Sequence, residues 1–308
     1  MIRLMIALLL LLSPATLLAD PFEGRWVSLA EDRVVFSLTV EGEGDDRRVE
    51  QRRAEQLQFS STALVAVEGP MQTYRGGPGS IDEDILSVTL ANDGGEEKSF
   101  TLQPAGNDLL LFRFAGNSIA PLILRRSDAP VGIAAATKMP LSFDRDYPSN
   151  PEMRSLFVAD QSARQGDGER DWFTIAAEDA KRRERVLEIL RDGRLLSGED
   201  FYHAAFIFQH GEKPDDYLLA HVMATASLAR GYEQAAWISA ATLDRYLLES
   251  QREQIFGTQM TITIEPDGER TSSMRAYNDG LLHDTLRMIH GVPPLERQQD
   301  NVRKLRGE

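Results

Sequence analysis

The chain has 308 residues, of which 42% are hydrophobic, and it carries a formal net charge of −14 with no cysteine. This apolar content supports a packed core, whereas the acidic balance excludes nucleic acid and anionic membrane surfaces as partners. The lack of cysteine excludes disulfides, thiolate metal sites and a cysteine nucleophile.

The N-terminus has the pattern of a secretory signal peptide. Arg3 gives a positive start, 4–12 is apolar, Pro14 breaks the apolar run, and Ala19 offers a small residue for cleavage. The alternative is a membrane anchor, but a membrane span needs about 20 apolar residues and this run is shorter. We therefore predict a signal peptide over 1–19. The mature protein is then periplasmic or secreted, without stable membrane insertion.

Residues 20–126 show the two-residue period of β-strands. Apolar side chains alternate with other residues from Val34 to Val40, from Leu86 to Leu90 and from Leu110 to Phe114. The segment 92–95, Asn-Asp-Gly-Gly, predicts a hairpin turn because these residues tolerate positive φ. About seven short strands of this kind predict an antiparallel barrel or sandwich.

Two segments of this β-region are interpreted separately. The highly charged segment 42–53 predicts an exposed loop. The opening Phe22-Glu23-Gly24-Arg25-Trp26 resembles the Gly-x-Trp start of lipocalin-like barrels, in which the Trp closes one end of the barrel. That resemblance implies a small apolar ligand inside the β-domain; the alternative is an ordinary buried Trp. Residues 127–149 contain three prolines and predict a linker.

From Asn150 onwards the hydrophobic period becomes helical, and we predict an α-helical domain over 150–308. Asn150 followed by Pro151 is a favourable helix start. The basic residues of a helix predicted over 171–191 are assigned to a solvated face, and a further helix is predicted over 232–255. The fold class is therefore α+β, with an N-terminal antiparallel β-barrel or sandwich followed by an α-helical domain.

Two polar clusters in the helical region form the candidate site. On a helix over 232–255, Asp244, Gln251 and Gln254 lie near one face, because residues seven apart on a helix point the same way. The helix then leads into a Gly-Thr-Gln segment, and an earlier helix ends in a Gln-His pair. The candidate binding residues are Gln209, Arg245, Gln251, Gln254, Thr258, Gln259 and Arg287.

His210 and Asp244 are the candidate catalytic residues. A His oriented by a carboxylate can act as a general base towards water, which would make the protein a metal-independent hydrolase. One His with one Asp gives too few ligands for a zinc site, although a set completed by His203 is an open alternative. We therefore predict no metal site and no cofactor. The structural alternative is that His210 caps its helix and the amides tie helices together.

Several ordered motifs resemble an uncharacterised bacterial helical domain family of unknown function: Gln209-His210, Asp244-Arg245, and Gln254 followed by Gly257-Thr258-Gln259. Asp160-Gln161 and Arg164 resemble the first helix of that family. Phe256 stands where the family has Tyr, so an aromatic hydroxyl is absent. The resemblance covers roughly 150–300. It implies an α-helical domain with a polar pocket and supplies no activity.

The sequence thus predicts an exported cell-envelope protein of unknown activity. The leading hypothesis is a binding or interaction module with a polar pocket in the helical domain, whose partner is a small molecule or an envelope protein. One alternative is a metal-independent hydrolase that uses His210 and Asp244. The other is a carrier of a small apolar ligand through the β-domain.

Overall fold

The computed structural model describes eight ranges: 20–31, 33–60, 63–106, 108–116, 120–128, 140–165, 170–264 and 270–305. The predicted signal peptide 1–19 and residues 129–139 of the predicted linker lie outside these ranges. The chain divides into two compact units, the first ending at Asp144 and the second beginning at Arg145. Among the helices in the described ranges, none is long and apolar enough to cross a membrane.

The first unit is a closed antiparallel β-barrel. Its strands are β1 (Gly24–Ala30), β2 (Arg33–Glu41), β3 (Arg48–Phe59), β4 (Ala63–Gly76), β5 (Ser80–Asp82), β6 (Ile85–Ala91), β7 (Glu97–Pro104), β8 (Leu109–Phe114), β9 (Leu122–Arg126) and β10 (Leu141–Ser142). Eight strands form the ring in the order β4-β3-β2-β1-β9-β8-β7-β6. The ring closes where Arg75 of β4 pairs with Ala91 of β6 and Gly76 pairs with Leu90.

Apolar side chains fill most of the barrel interior, which also holds the fully buried Gln51. The Phe112 ring lies at its centre, with ring centroids 4.7 Å from Phe100, 5.0 Å from Phe36 and 4.6 Å from Phe114. The side chains of the interior that have no solvent exposure include Trp26, Phe36, Leu38, Leu86, Leu90, Leu102, Leu110 and Phe112. This packing supplies the hydrophobic stabilisation of the unit.

Trp26 is held at the start of the barrel from two sides. Its Nε1 donates a hydrogen bond of 2.8 Å to the carbonyl of Phe22. The guanidinium of Arg126 on β9 lies 4.2 Å from the centroid of the indole, a cation–π distance. A closed eight-stranded barrel that opens with a buried Trp fits the predicted lipocalin-like architecture.

Two boundaries differ from the sequence prediction. The segment 42–53 is not wholly a loop, because β3 begins at Arg48 and its inward positions include Gln51 and Arg53. Their polar side chains conceal the apolar alternation that marks the other strands. Leu141–Ser142, within the predicted linker, pairs with β4 as β10. The Asn92 turn is as predicted, with its Oδ1 accepting from two backbone amides of the turn.

The second unit is mainly helical. Its elements are α1 (Pro151–Ser162), α2 (Trp172–Arg191), α3 (Gly198–Phe208), α4 (Pro214–Ala229), α5 (Ala235–Glu249), β11 (Met260–Ile264), β12 (Arg270–Met274), α6 (Asp284–Ile289) and α7 (Leu295–Leu305). Helix α4 packs against both α3 and α5, and α1 packs against α3. The shared core includes Met153, Val186, Ile189, Ile207, Phe208, Met223 and Ile238. The α+β fold class is therefore confirmed.

The starts of α1 and α3 are tied together by their capping residues. Asn150 caps α1 as predicted, its Oδ1 accepting from the backbone amides of Glu152 and Met153. Ser197 and Asp200 form the capping box of α3. Asp200 also accepts a hydrogen bond of 2.8 Å from the backbone amide of Asn150. This bond aligns α1 along α3 and so determines which side chains face each other further along the two helices.

Candidate functional site

Helix α5 is shorter than the helix predicted over 232–255. It ends at Glu249, and Gln251 adopts φ 59°, a left-handed conformation that an α-helix does not contain. The side chain of Gln251 is exposed, whereas Asp244 and Gln254 are fully buried. The prediction that these three side chains line one helix face is therefore wrong.

Asp244 instead organises the loop that follows α5. Its Oδ1 accepts hydrogen bonds from the backbone amides of Ile255 at 2.8 Å and Phe256 at 3.0 Å. Its Oδ2 accepts from the backbone amide of Thr258 at 2.9 Å and from Thr258 Oγ1 at 2.8 Å. Four donors occupy this carboxylate, so Asp244 serves as a structural acceptor rather than as the partner of His210.

Gln254 and Gln259 form a second tie within the same loop. Gln254 Oε1 accepts from the backbone amide of Gln259 at 2.9 Å, and Gln254 Nε2 donates to the carbonyls of Gln259 and Arg275. The Gln259 amide donates to Thr258 Oγ1 at 3.0 Å. Gln254, Thr258 and Gln259 are thus close together as predicted, but their polar groups mostly satisfy one another.

Gly257 allows this loop to pass close to α7. Its φ is 83°, and a Cβ at this position would lie 2.0 Å from Oε1 of Gln298 and 2.9 Å from the hydroxyl of Tyr277. The Nε2 atom of Gln298 donates to the carbonyl of Phe256 at 3.0 Å. The tight approach explains why glycine stands between Phe256 and Thr258.

Arg287 is fully engaged in the structure. It is 2% exposed and its guanidinium donates to Tyr277, to Asp284 and to the carbonyls of Asp279 and Leu282. Burial raises the pKa of Tyr277, and the hydrogen bond from Arg287 opposes that rise. Arg287 therefore braces the C-terminal part of the unit and has few donors left for a ligand.

The carboxylate that contacts His210 belongs to Asp160 on α1. His210 Nδ1 lies 3.2 Å from Oδ1 of Asp160, and the histidine side chain is 18% exposed. Asp160 is completely buried and also receives hydrogen bonds from Arg164 at 3.1 Å and Gln161 at 2.7 Å. The pairing of His210 with Asp244 is therefore wrong, because another carboxylate occupies the imidazole and Asp244 is fully used elsewhere.

Asp160 belongs to a buried ionic network between α1 and α2. Arg164 and Arg182 both donate to Asp179, and the Nε atom of Arg182 lies 3.7 Å from Asp160. Burial acts to raise the pKa of Asp179, but the hydrogen bonds from Arg164 and Arg182 outweigh it and hold that pKa below its ordinary value. Two carboxylates and two guanidiniums neutralise each other here.

The end of α3 presents polar groups that this network does not use. Gln209 is 6% exposed, and its side-chain amide has no hydrogen-bond partner among the residues that the structure describes. Arg245 donates from Nη1 to the carbonyl of Gln209 at 3.0 Å, while its buried Nε has no partner. Burial lowers the pKa of Arg245. These are the predicted site residues that keep unused donors.

A second arginine reaches the same helix end. Arg183 on α2 donates from Nη1 to the carbonyl of His210 at 2.9 Å. The hydroxyl of Tyr217 donates to the next carbonyl, that of Gly211, at 2.7 Å. Burial raises the pKa of Tyr217, and the positive charges of Arg245 and Arg183 oppose the rise. We call Arg183, Gln209, His210 and Arg245 the α3-end site.

His203 does not contribute to this site. It is 5% exposed, and its ring stacks on Phe157 with centroids 4.2 Å apart. Its Nδ1 is buried without a hydrogen-bond partner, and burial lowers its pKa. The open alternative of a metal set with His203, His210 and Asp244 is wrong, because the three side chains have separate surroundings.

Sequence reasoning missed the part that α1 and α2 play. Asp160 and Arg164 were noted only for their resemblance to a family motif, and the basic residues of 171–191 were assigned to a solvated face. Arg182 is buried and Arg183 half-buried, while Lys181 is exposed as expected. Successive residues of a helix are rotated by about 100°, so the three consecutive basic residues of α2 cannot all lie on one face. This rotation already indicated in the sequence that they do not all belong to a solvated face.

No family model, curated protein or solved structure matches this chain. The resemblance of 150–300 to an uncharacterised helical family therefore stays a prediction, as does the lipocalin-like ligand.

Proposed function

We propose that this chain is an exported binding protein of the cell envelope, periplasmic or secreted after cleavage at Ala19, and that its helical unit binds a partner through the α3-end site. The partner is a small molecule or an exposed group of an envelope protein. Of the predicted binding residues, Gln209 and Arg245 carry this role together with His210. The other predicted binding residues support the surrounding loop or lie on the surface.

The buried Nε of Arg245, which has no hydrogen-bond partner, is the observation that carries this proposal. Gln209, whose main-chain carbonyl accepts from Arg245, lies beside it and is 6% exposed. A buried N–H group without an acceptor costs about 1–3 kcal/mol. Proteins rarely retain that cost without a use, and a bound ligand that supplies an acceptor would remove it.

The Asp160–His210 pair supports hydrolysis as a second candidate function. A carboxylate at Nδ1 orients the imidazole and leaves Nε2 free to accept a proton from water. This proposal keeps the predicted role of His210 and replaces Asp244 by Asp160. A hydrolase of this kind would lose activity in both His210→Ala and Asp160→Asn, measured against a panel of esters at neutral pH.

The barrel supports ligand carriage less well than the helical unit supports binding. Its interior is occupied by the aromatic cluster around Phe112 and by fully buried leucines. An apolar ligand of ordinary size would have to displace these side chains, whereas carrier pockets are largely preformed. We therefore assign the barrel a supporting role in this proposal.

A thermal-shift screen tests the binding function. Metabolites of all charge types are screened against the wild-type protein, Gln209→Ala and Gln299→Ala. Gln299 is an exposed glutamine of α7 and serves as the matched control. We expect at least one ligand to stabilise wild type and Gln299→Ala, and to have little effect on Gln209→Ala. Equal stabilisation of all three proteins would place binding elsewhere and contradict the proposal.

A further inference from the structure

We infer that the α3-end site takes an oxyanion, a phosphate or carboxylate group, which is held between the guanidinium groups of Arg183 and Arg245. This inference rests on the proposed function and specifies the chemical class of its ligand. Three observations support this inference: the balance of charge at the site, the unused hydrogen-bond donors and the position of the two arginine side chains.

The balance of charge is positive at this place in an otherwise acidic protein. Arg164 and Arg182 are neutralised by Asp160 and Asp179, two cations against two anions. Arg183 and Arg245 contact the adjacent carbonyls of His210 and Gln209. Within the described part of the chain, neither of these two guanidiniums forms an ion pair. The site therefore holds two uncompensated positive charges.

A structural explanation accounts for only part of this arrangement. Cations at a helix C-terminus are stabilised by the macrodipole and by hydrogen bonds to the last carbonyls. That capping uses one N–H of each guanidinium, Nη1 in both Arg183 and Arg245. A guanidinium has five N–H donors, so most of the donors remain. Capping also gives no reason for two arginines where one would suffice.

The burial of Arg245 points to a negatively charged ligand. Its side chain is half-buried and its Nε is enclosed without an acceptor. Burial lowers the pKa of Arg245, and the positive charges of Arg275 and Arg164 add to this effect, while Tyr217 and Glu249 oppose it. An oxyanion would supply acceptors to the guanidinium edge in a bidentate contact and would neutralise the charge at the same time. A neutral ligand could supply acceptors but could not neutralise the charge.

Gln209 and His210 complete the recognition of such a group. The Gln209 amide can donate to a further oxygen of the ligand, and the imidazole of His210 lies partly exposed beside Arg183. Because the whole chain carries −14, distant anions are repelled rather than attracted. We therefore expect affinity to arise from short-range contacts and to weaken as ionic strength increases.

Calorimetric titration with sodium phosphate and with sodium citrate tests the inference and separates the two oxyanion classes. The proteins are wild type, Arg245→Gln, Arg183→Gln and Arg185→Gln, with sodium chloride at matched ionic strength as the blank. Arg185 lies on the same helix as Arg183 but pairs with Glu152 and Glu188, so it is the matched control. We expect at least one oxyanion to bind wild type and Arg185→Gln with similar affinity. Loss of either site arginine should weaken binding by about tenfold or more.

A second measurement does not depend on any variant folding. Wild-type protein is treated with phenylglyoxal, which modifies accessible arginines, with and without the oxyanion that binds. Mass spectrometry should find Arg183 and Arg245 protected by that oxyanion and Arg185 unprotected. Equal modification with and without the oxyanion would overturn the inference, as would unchanged affinity in Arg245→Gln.

The outcome also separates this inference from the proposed function. If neutral or cationic metabolites bind in a Gln209-dependent way while phosphate and citrate do not, the oxyanion inference is wrong and the binding function stands. If no compound of any charge binds at the α3-end site, both are wrong.

Discussion

The Nδ1 atom of His210 lies 3.2 Å from the buried carboxylate of Asp160, although 50 residues separate them along the chain. This contact joins the end of α3 to α1 and directs the imidazole edge that bears Nε2 away from the ionic network. Asp160 also receives Arg164 and Gln161, so one carboxylate positions three side chains.

Replacement of Asp160 by Asn should destabilise the helical unit. The substitution leaves Arg164 and Arg182 with one anion between them, and loss of one partner of a buried ionic network costs about 3 kcal/mol. Urea unfolding followed by circular dichroism measures the change. Asp192→Asn, an exposed position after α2, is the control and should change stability by less than about 0.5 kcal/mol. Equal effects would show that the network contributes little.

Replacement of Asp244 by Asn should loosen the loop after α5 while leaving the barrel unchanged. An Asn side chain presents one acceptor oxygen and a donor NH2 to the four donors that Asp244 accepts. Amide hydrogen exchange should accelerate at Ile255, Phe256 and Thr258. Amides of the barrel strand β8 provide the internal reference. Unaltered exchange at Thr258 would contradict the structural role given to Asp244.

Gly257→Ala and Gly231→Ala form a matched pair. Both glycines have φ 83°, so alanine meets the same backbone cost of about 1–2 kcal/mol at each. Only at Gly257 would the new Cβ meet another group, Oε1 of Gln298 at 2.0 Å, whereas nothing lies within 4 Å at Gly231. Thermal unfolding should therefore show a larger loss for Gly257→Ala. Equal losses would mean that the loop adjusts freely.

His203 should make the helical unit sensitive to acid. Its folded-state pKa is lowered by burial, so below about pH 6.5 the unfolded chain binds a proton that the folded protein excludes. Stability therefore falls as the pH decreases from this value towards the folded-state pKa, by at most about 1.4 kcal/mol per pH unit. His203→Phe keeps the stack on Phe157 and removes the titration. The difference in unfolding free energy between variant and wild type should grow from pH 7 to pH 5; a constant difference would refute this.

Local sequence patterns predicted those elements whose cause is local. The alternation in β2, β6 and β8, the Asn92 turn and the cap of α1 each depend on neighbouring residues. Strand β3 was partly missed because Gln51 and Arg53 occupy inward positions. The end of α5 was missed because Asp244 holds the following loop through bonds to residues up to 14 positions away.

The candidate site was predicted only in part, because local patterns reveal polar residues but do not reveal the contacts between helices. Gln209, His210 and Arg245 were identified because dense polar residues stood out at the ends of helices. The partner of His210 could not be found, since periodicity within one helix does not state which helix packs against it. The loop around Gln254 looked functional because its polar residues are concentrated, yet their hydrogen bonds are mostly internal.

The closure of the barrel between β4 and β6 has a mechanical consequence. Only two residue pairs, Arg75 with Ala91 and Gly76 with Leu90, are registered along this seam in the described chain, whereas β3 and β4 pair along most of their length. Gly76 passes so near the carbonyl of Thr89 that a Cβ would lie 2.4 Å from it. The barrel is thus closed by a short strand pairing. Under mechanical force we expect β4 and β6 to separate first, which would convert the barrel into an open curved sheet.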